Sequence, residues 1–328
     1  MGGNVFSEQT QNIPLRRIKP TLEKYCEELK RLFPKKKTAF DSFRPLGSVG
    51  KKSASGDIDI GIDKGNFFKG GVVALGGLQD WNVDPTNWEN TFKKYKRRAR
   101  TRTDEQIKWR AFLTEIAKYI NNNSNIITFN LKKIGPGTMF SLFPQYTENG
   151  EQLDIGVQID WMVGDISWLE FAYWSDAPST KEPFLKGLHR TQLMLSMFLI
   201  KEYTFTHDLG VKSKNSNLTL TTPDAALVLL SSLFGSKLTH GDVLNFNTLY
   251  GWLNRHSSVS EFDSVIEAYL VILDRTKSTK INGQHGGYIP AELEETWIEK
   301  KNKLNLSGKY IHKDMNLKIW NHLHEINT

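Results

Sequence analysis

Apolar and polar residues alternate strictly in two stretches of the first half of the chain, DIDIGID at 57–63 and LDIGVQIDWMV at 153–163. Alternation with a period of two is typical of a β-strand that buries one face. Asp57 and Asp59 then share one face of the first strand, opposite its isoleucines. Asp160 lies on the polar face of the second strand, near its end. The pattern therefore predicts two strands that each carry carboxylates on the face turned away from the core.

Other stretches have the spacing of helices, or alternate and end at turn residues. In the first half, helices are predicted at 15–33 and 91–120, and further strands at 38–48, 126–134 and 138–146. In the second half, helices are predicted at 187–203, 222–234, 241–256 and 261–273.

The segment DAPSTKEP at 176–183 has the composition of a linker and separates these two patterns. The expected fold class is α+β, with a mixed sheet flanked by helices followed by a mostly helical second domain. The predicted domains are 1–178, which contains an inserted basic helix at about 88–121, and 179–328.

The aspartates of the first strand favour a metal site. Two carboxylates on one face repel each other unless a cation lies between them, and hard divalent ions such as Mg²⁺ bind oxygen ligands. A two-metal phosphoryl-transfer site needs a further carboxylate from a neighbouring strand, and Asp160 is the residue predicted to supply it. At roughly 3.3 Å per residue, Asp63 lies about 13 Å beyond Asp59. Asp154 lies about 20 Å from Asp160 by the same rise, so neither fits this metal site.

The loop before the first strand, LGSVGKKSASG at 46–56, has complementary chemistry. Gly47 allows the backbone to approach a ligand closely, and Ser48 adds a hydroxyl donor. Lys51 and Lys52 add positive charge. These residues predict a loop that holds a triphosphate, beside carboxylates that support metal-assisted transfer at the α-phosphate of a nucleotide. A solvated turn before an edge strand is the alternative.

A basic run between residues 93 and 102 contains seven Lys or Arg residues in ten positions. On a helix these residues would surround most of the circumference. That distribution favours contact with nucleic-acid phosphates over a solvated helix surface or a nuclear-import signal. The net charge of +7 favours the same class of partner. The residues concerned are Lys93, Lys94, Lys96, Arg97, Arg98, Arg100 and Arg102.

Lys186 and Arg190 follow the linker at the start of a predicted helix, KGLHRTQ. They are candidates for nucleotide binding, with helix capping and domain contact as the alternative. The aromatic stretch WLEFAYW at 168–174 favours the core of a strand or a domain interface over base stacking.

Cys26 is the single cysteine, which excludes an internal disulfide and cysteine-based zinc sites. No stretch has the apolar run of a signal peptide or a membrane-spanning helix, so no membrane association is expected. A lone thiol also suits a reducing compartment, and the expected location is the cytoplasm.

The GS pair at 47–48, the segment SGDID at 55–59 and the later strand with Asp160 together resemble the DNA polymerase β-type nucleotidyltransferase superfamily. Its motif is Gly-Ser or Gly-Gly followed, after a short gap, by Asp-apolar-Asp. The resemblance implies metal-ligand roles for Asp57, Asp59 and Asp160, and a triphosphate-holding role for the GS pair.

The same resemblance implies two Mg²⁺ or Mn²⁺ ions per site. The gap between the two parts of the motif is slightly shorter here than in the family. That difference leaves open which of Lys51 and Lys52 meets the phosphates.

The long interval between Asp59 and Asp160 resembles the larger RNA-tailing or cyclic-oligonucleotide-making branches of the superfamily in size. The segment GLHRTQLM at 187–194 resembles virus-encoded members. For a virus-encoded protein the expected location is the cytoplasm of the host.

The expected function is transfer of a nucleoside monophosphate from an NTP, with ATP favoured, to an acceptor hydroxyl, with release of pyrophosphate. The net charge and the basic run favour an RNA 3′ end as acceptor. A protein, a small molecule or another nucleotide, giving linear or cyclic oligonucleotides, stays open as the acceptor. An inactive module that binds nucleotide or RNA is the further alternative, and the retention of all three aspartates argues against it.

Overall fold

The computed structural model describes residues 5–6, 9–47, 49–67, 75–99, 102–174, 187–207, 209–215 and 219–278. The chain divides into two compact units, Met1–Glu170 and Phe171–Thr328. The predicted linker at 176–183 lies outside the described residues, so the domain boundary between residues 178 and 179 stays a prediction. Among the described helices, none combines the length and the apolar character needed to cross a lipid bilayer.

A five-stranded mixed sheet forms the centre of the first unit. Its strands are β2 (Arg44–Pro45), β4 (Asp57–Asp63), β5 (Thr128–Phe129), β6 (Thr138–Tyr146) and β7 (Gln152–Gly164). They lie in the order β2-β4-β7-β6-β5, with β4 parallel to β7 and the other pairs antiparallel. A separate two-stranded sheet pairs β1 (Ile13–Pro14) with β3 (Ala54–Ser55). The prediction of a mixed sheet is confirmed.

Helices flank this sheet, as predicted. They are α1 (Leu15–Leu32), α2 (Lys64–Phe67), α3 (Leu75–Leu78), α4 (Pro85–Arg98), α5 (Asp104–Asn123) and α6 (Ile166–Ala172). Parallel strands cannot be joined by a tight turn, and α4 and α5 lie in the long crossover from β4 to β7. The single helix predicted at 91–120 is two helices. The chain restarts at Thr103, whose hydroxyl caps α5 in a capping box with Gln106.

Three other predicted elements of the first unit differ from the structure. Residues 34–42, which overlap the start of the strand predicted at 38–48, form a 3₁₀ segment that buries Phe40, and only Arg44–Pro45 pairs as a strand. The strand predicted at 126–134 is limited to β5 because Asn130 turns the chain and its side chain accepts from the Lys132 amide. The aromatic stretch at 168–174 begins in the helix α6 rather than in a strand, with Trp168 fully buried.

The apolar face of the two central strands packs into an aromatic core. The side chains of Ile58, Ile60 and Ile62 are completely buried, as the alternation of β4 predicts. In β7, Trp161 meets Tyr25 of α1 edge to face, with ring centroids 6.5 Å apart. Burying these side chains supplies most of the favourable free energy that holds the strands together.

The second unit contains helices and a small sheet. The helices are α7 (Gly187–Ile200), α8 (Pro223–Phe234), α9 (Phe246–His256) and α10 (Val259–Ser278). The strands β8 (Tyr203–Thr206), β9 (Gly210–Ser213) and β10 (Thr219–Leu220) form an antiparallel sheet in the order β10-β9-β8. This sheet was not predicted. Its strands are too short for a clear alternation. The close approach of β9 to β10 depends on Gly210, where φ is +94° and a side chain would collide with the Leu220 carbonyl.

Candidate metal centre

Parallel pairing of β4 with β7 brings the three predicted carboxylates together. Asp59 and Asp160 are direct partners in the register, and Asp57 lies two residues before Asp59 on the same face. One carboxylate oxygen from each of the three residues lies within 4.8 Å of the other two. The sequence predicts both strands, and their pairing converts two separate polar faces into one cluster.

Burial and mutual repulsion shape the electrostatics of this cluster. Asp160 is only 4% exposed, and burial raises its pKa to about 9, with a further contribution from the charges of Asp59 and Asp57. Burial likewise raises the pKa of Asp59 to about 7, and the charge of Asp57 adds to the effect. Two carboxylates whose pKa values are raised by burial and by neighbouring charge, beside the third carboxylate of Asp57, form a site in which a divalent cation relieves both repulsion and desolvation.

A glutamine supports the most buried of the three aspartates. Gln158 lies two residues before Asp160 on the same face of β7, and its side-chain N–H donates to Asp160 Oδ1 at 2.7 Å. Its side-chain oxygen accepts from the backbone N–H of Val5 at 3.0 Å. The alternation of β7 predicts that Gln158 lies on the same face as Asp160, but not that it donates a hydrogen bond to the carboxylate. The contact with Val5 spans most of the first unit and had no sequence signal.

The other two aspartates of these strands stay outside the cluster, as predicted. Asp63 accepts a hydrogen bond from the backbone N–H of Gly65 at 2.7 Å and so forms a turn at the end of β4. Asp154 is exposed near the start of β7.

The predicted triphosphate loop lies beside the carboxylates. The backbone N–H of Leu46 donates to the Asp59 carbonyl at 2.9 Å, which ties the start of the loop to β4 at a metal-ligand candidate. Gly47 follows with φ of +60°, a conformation that favours glycine. Lys51 is exposed and Lys52 is half-buried. Ser48 lies outside the described residues.

The basic run lies mainly at the end of α4. Lys93, Lys94, Lys96, Arg97 and Arg98 are all exposed there.

Lys93 and Lys96 of this run form ion pairs, and Arg100 and Arg102 follow α4 in the sequence. Lys93 pairs with Glu89 at 2.8 Å, and Lys96 pairs with Asp104 at 2.9 Å. Arg102 is half-buried in the connection to α5, and Arg100 lies outside the described residues.

The two nucleotide-binding candidates from the start of the second half, Lys186 and Arg190, belong to the second unit of the chain. Lys186 lies outside the described residues. Arg190 is 2% exposed, and its guanidinium donates to the backbone carbonyls of Val243 at 2.7 Å and Phe171 at 2.6 Å. Burial lowers the pKa of Arg190 to about 9. These bonds pack Arg190 within the second unit, and its role in nucleotide binding stays a prediction.

Comparison with known proteins gives a fold likeness at low similarity. No protein-family model matches the sequence, and no curated protein matches it. A solved structure of Leishmania infantum polymerase beta, described as a ternary P/T complex, has 10% identity and a TM-score of 0.35, with coverage of 71% of this chain and 77% of that one. The ternary gap complex of the same protein has 10% identity and a TM-score of 0.36, with 71% of each chain covered. The resemblance to virus-encoded or RNA-tailing members finds no support in these comparisons.

Proposed function

We propose that this chain is a divalent-metal-dependent nucleotidyltransferase. The observation that carries the proposal is the convergence of Asp57, Asp59 and Asp160 within 4.8 Å, on two parallel strands whose other face is buried. Hard oxygen donors at this density are the ligand set for Mg²⁺ or Mn²⁺.

The three carboxylates would hold the metal, and the donor set fits it. The pKa values of Asp59 and Asp160 lie above their ordinary range because burial and the neighbouring negative charges disfavour the ionised forms. A site with three carboxylates from two strands has enough ligand oxygens for two ions. When bound, such ions neutralise charge on the transferring phosphoryl group and on the leaving pyrophosphate. The protein's part is to hold the ligand oxygens on a rigid sheet and to exclude water from one side of them.

The loop after Leu46 is proposed to bind the triphosphate. Gly47 directly follows Leu46, whose backbone N–H is bonded to the Asp59 carbonyl, and Ser48 comes next in the sequence. Lys51 and Lys52 are the cations nearest in sequence to Asp57. The proposed substrate is an NTP, with ATP favoured.

The proposed acceptor is the 3′ hydroxyl of an RNA. Its oxygen forms a bond to the α-phosphorus, the bond from that phosphorus to the bridging oxygen breaks, pyrophosphate leaves and the hydroxyl proton is lost. The exposed basic residues at the end of α4 support this acceptor because single-stranded nucleic acids are held mainly through their phosphates.

The experiment incubates the purified protein with each α-labelled NTP, Mg²⁺ and total RNA. The double variant Asp57→Ala/Asp59→Ala is compared with Asp154→Ala, which removes an exposed carboxylate from outside the cluster. We expect labelled RNA with the wild type and with Asp154→Ala, and a loss of at least about 100-fold in the double variant.

Other outcomes distinguish the alternatives. Label on the protein, on a small molecule or in short linear or cyclic oligonucleotides would keep the chemistry and change the acceptor. Tight NTP binding without turnover, for every NTP and with either Mg²⁺ or Mn²⁺, would contradict the enzyme and favour a binding module.

A further inference from the structure

Gln158 occupies a buried position between the metal-ligand candidates and the beginning of the chain. Its side chain is 2% exposed and makes two hydrogen bonds of opposite sense, one to Asp160 and one from Val5. A carboxylate can only accept, and a backbone N–H can only donate. The amide therefore has a single orientation that satisfies both partners.

This orientation fixes the carboxylate of Asp160. An aspartate side chain has two rotatable bonds, and a hydrogen bond to Oδ1 from a buried donor restricts the second of them. Gln158 is itself held in the sheet, where it is the register partner of Asp57. Outer partners of this kind orient metal-ligating carboxylates in proteins.

The backbone that reaches Gln158 is anchored on β7 and on the short strand β3 that precedes β4. The backbone N–H of Gln11 donates to the Gly156 carbonyl at 3.0 Å, two residues before Gln158 on β7. Ile13 pairs with Ser55 of β3, two residues before Asp57.

Gly156 explains how the chain comes so close to β7. A Cβ atom at this position would lie 2.6 Å from the Gln9 carbonyl oxygen. Residues 9–14 are thus built against β7 and against β3, the short strand before β4.

We infer that Gln158 is a positioning residue for Asp160, and that the backbone of Val5 holds Gln158 in that role. The inference rests on the proposed function, because it assigns Asp160 to a metal. It extends the metal centre to a residue outside the cluster and to a segment far from it in sequence.

The test measures Mn²⁺ affinity of the full chain by electron paramagnetic resonance, with no nucleotide present. Gln158→Leu keeps most of the volume and removes both hydrogen bonds. Gln158→Glu keeps an acceptor for Val5 but removes the donor to Asp160 and adds a repelling charge. We expect both variants to bind Mn²⁺ about 10–100-fold more weakly than the wild type.

Val5 is tested through its backbone. Val5→Pro removes the N–H, and Val5→Ala keeps it as the matched control. We expect Val5→Pro to weaken Mn²⁺ binding and Val5→Ala to leave it unchanged. The double variant Val5→Pro/Gln158→Leu should bind Mn²⁺ no more weakly than Gln158→Leu alone. That non-additivity separates action through Gln158 from an independent effect.

The thermal unfolding temperature of each metal-free variant is measured in parallel. A drop in this temperature with unchanged Mn²⁺ affinity would show a structural role only and overturn the inference. If Gln158→Leu does not fold, unchanged affinity in Gln158→Glu overturns it instead. Unchanged affinity in Val5→Pro, with Gln158 variants weakened, overturns the part assigned to Val5.

The outcome also separates this inference from the proposed function. A wild type that binds Mn²⁺ through Asp160 but transfers no nucleotide refutes the nucleotidyltransferase and leaves the positioning role to be judged on affinity. A wild type that binds no Mn²⁺ refutes both.

Discussion

At the scale of single residues, the metal-ligand candidates are costly to the protein without a cation. The native state favours the protonated form of Asp160, whose pKa is raised to about 9, above the value of about 3.9 expected for an unfolded chain. Because the folded state binds the proton more tightly, its stability falls as pH rises through this interval. Titration of Asp59 also makes the folded state less stable as pH rises, over a narrower pH interval, because its pKa is raised to about 7.

This linkage predicts that Asp160→Asn changes stability in opposite directions with and without metal. Asparagine resembles the protonated aspartate and never ionises. In EDTA at about pH 8, we expect the variant to unfold at a higher temperature than the wild type, and the difference to shrink as pH is lowered towards 4. In Mn²⁺ at 100 times its dissociation constant, the wild type gains about 2.7 kcal/mol by mass action, and the variant gains less.

Differential scanning fluorimetry in EDTA and in Mn²⁺ measures both effects. Asp154→Asn is the control, because this exposed residue of the same strand lies outside the cluster. An equal gain of stability in Mn²⁺ for the variant and the wild type would contradict the metal assignment of Asp160, and a variant less stable than the wild type in EDTA at about pH 8 would contradict the proton linkage.

At the scale of elements, a hydrogen-bond chain fastens β7 to its neighbours directly behind the cluster. The indole N–H of Trp161 donates to the Tyr25 hydroxyl oxygen at 2.7 Å, and Tyr25 and Ser141 share a hydrogen bond of 2.8 Å. The Ser141 hydroxyl donates to the Ile159 carbonyl at 3.0 Å. Ile159 and Trp161 are the two neighbours of Asp160, so α1 and β6 hold the strand on both sides of it.

Tyr25→Phe is predicted to destabilise the first unit. It leaves the buried indole N–H of Trp161 without its acceptor, which costs about 1–3 kcal/mol. Urea unfolding followed by tryptophan fluorescence measures the loss. Tyr95→Phe is the matched control, since its hydroxyl bonds to Thr114 at 3.1 Å in a half-buried position where water can replace it. Equal losses of unfolding free energy in the two variants would show that the buried hydrogen bonds of Tyr25 stabilise the unit no more than the half-buried one of Tyr95.

The elements also show what the sequence could and could not predict. Alternation located β4, β6 and β7 and the three aspartates, because a strand with one buried face leaves a direct record in the sequence. Two differences between the predicted and observed elements come from short-range interactions. The Thr103–Gln106 capping box divides the predicted helix at 91–120, and the alternating pattern at 126–134 gave way to a turn at Asn130.

Other features depend on contacts between distant parts of the chain. The pairing of Asp59 with Asp160 follows from the parallel crossover, and the hydrogen bond from Val5 to Gln158 joins residues 153 positions apart. Arg190 shows the same limit. Its position at the start of a predicted helix gives no sign that the fold buries it and that it donates to the carbonyls of Val243 and Phe171.

At the scale of the whole molecule, the first unit contains both the carboxylate cluster and the exposed basic end of α4. The cluster carries negative charge until a cation binds, whereas α4 attracts phosphates. An RNA acceptor would therefore be bound largely through α4, and this term depends on salt because bound phosphates release condensed counterions.

Neutralising three of these residues is predicted to weaken RNA binding and to reduce its salt dependence. In Lys94→Gln/Arg97→Gln/Arg98→Gln, the loss of three phosphate contacts makes the slope of log affinity against log salt less steep by about 2, at roughly 0.7 per contact for a single strand. Fluorescence anisotropy with a labelled single-stranded RNA at several salt concentrations measures the slope.

The control removes the same charge from exposed residues of the second unit, with Lys212→Gln/Lys214→Gln/Arg255→Gln. Because the net charge of the two triple variants is equal, any difference between them reports the position of the charge rather than its amount. A larger reduction of the salt slope in the α4 variant than in the control would locate the RNA surface on the unit that carries the carboxylates. Equal effects would reduce the interaction to general attraction by the net charge, and an unchanged slope in the α4 variant would exclude α4 as the RNA surface.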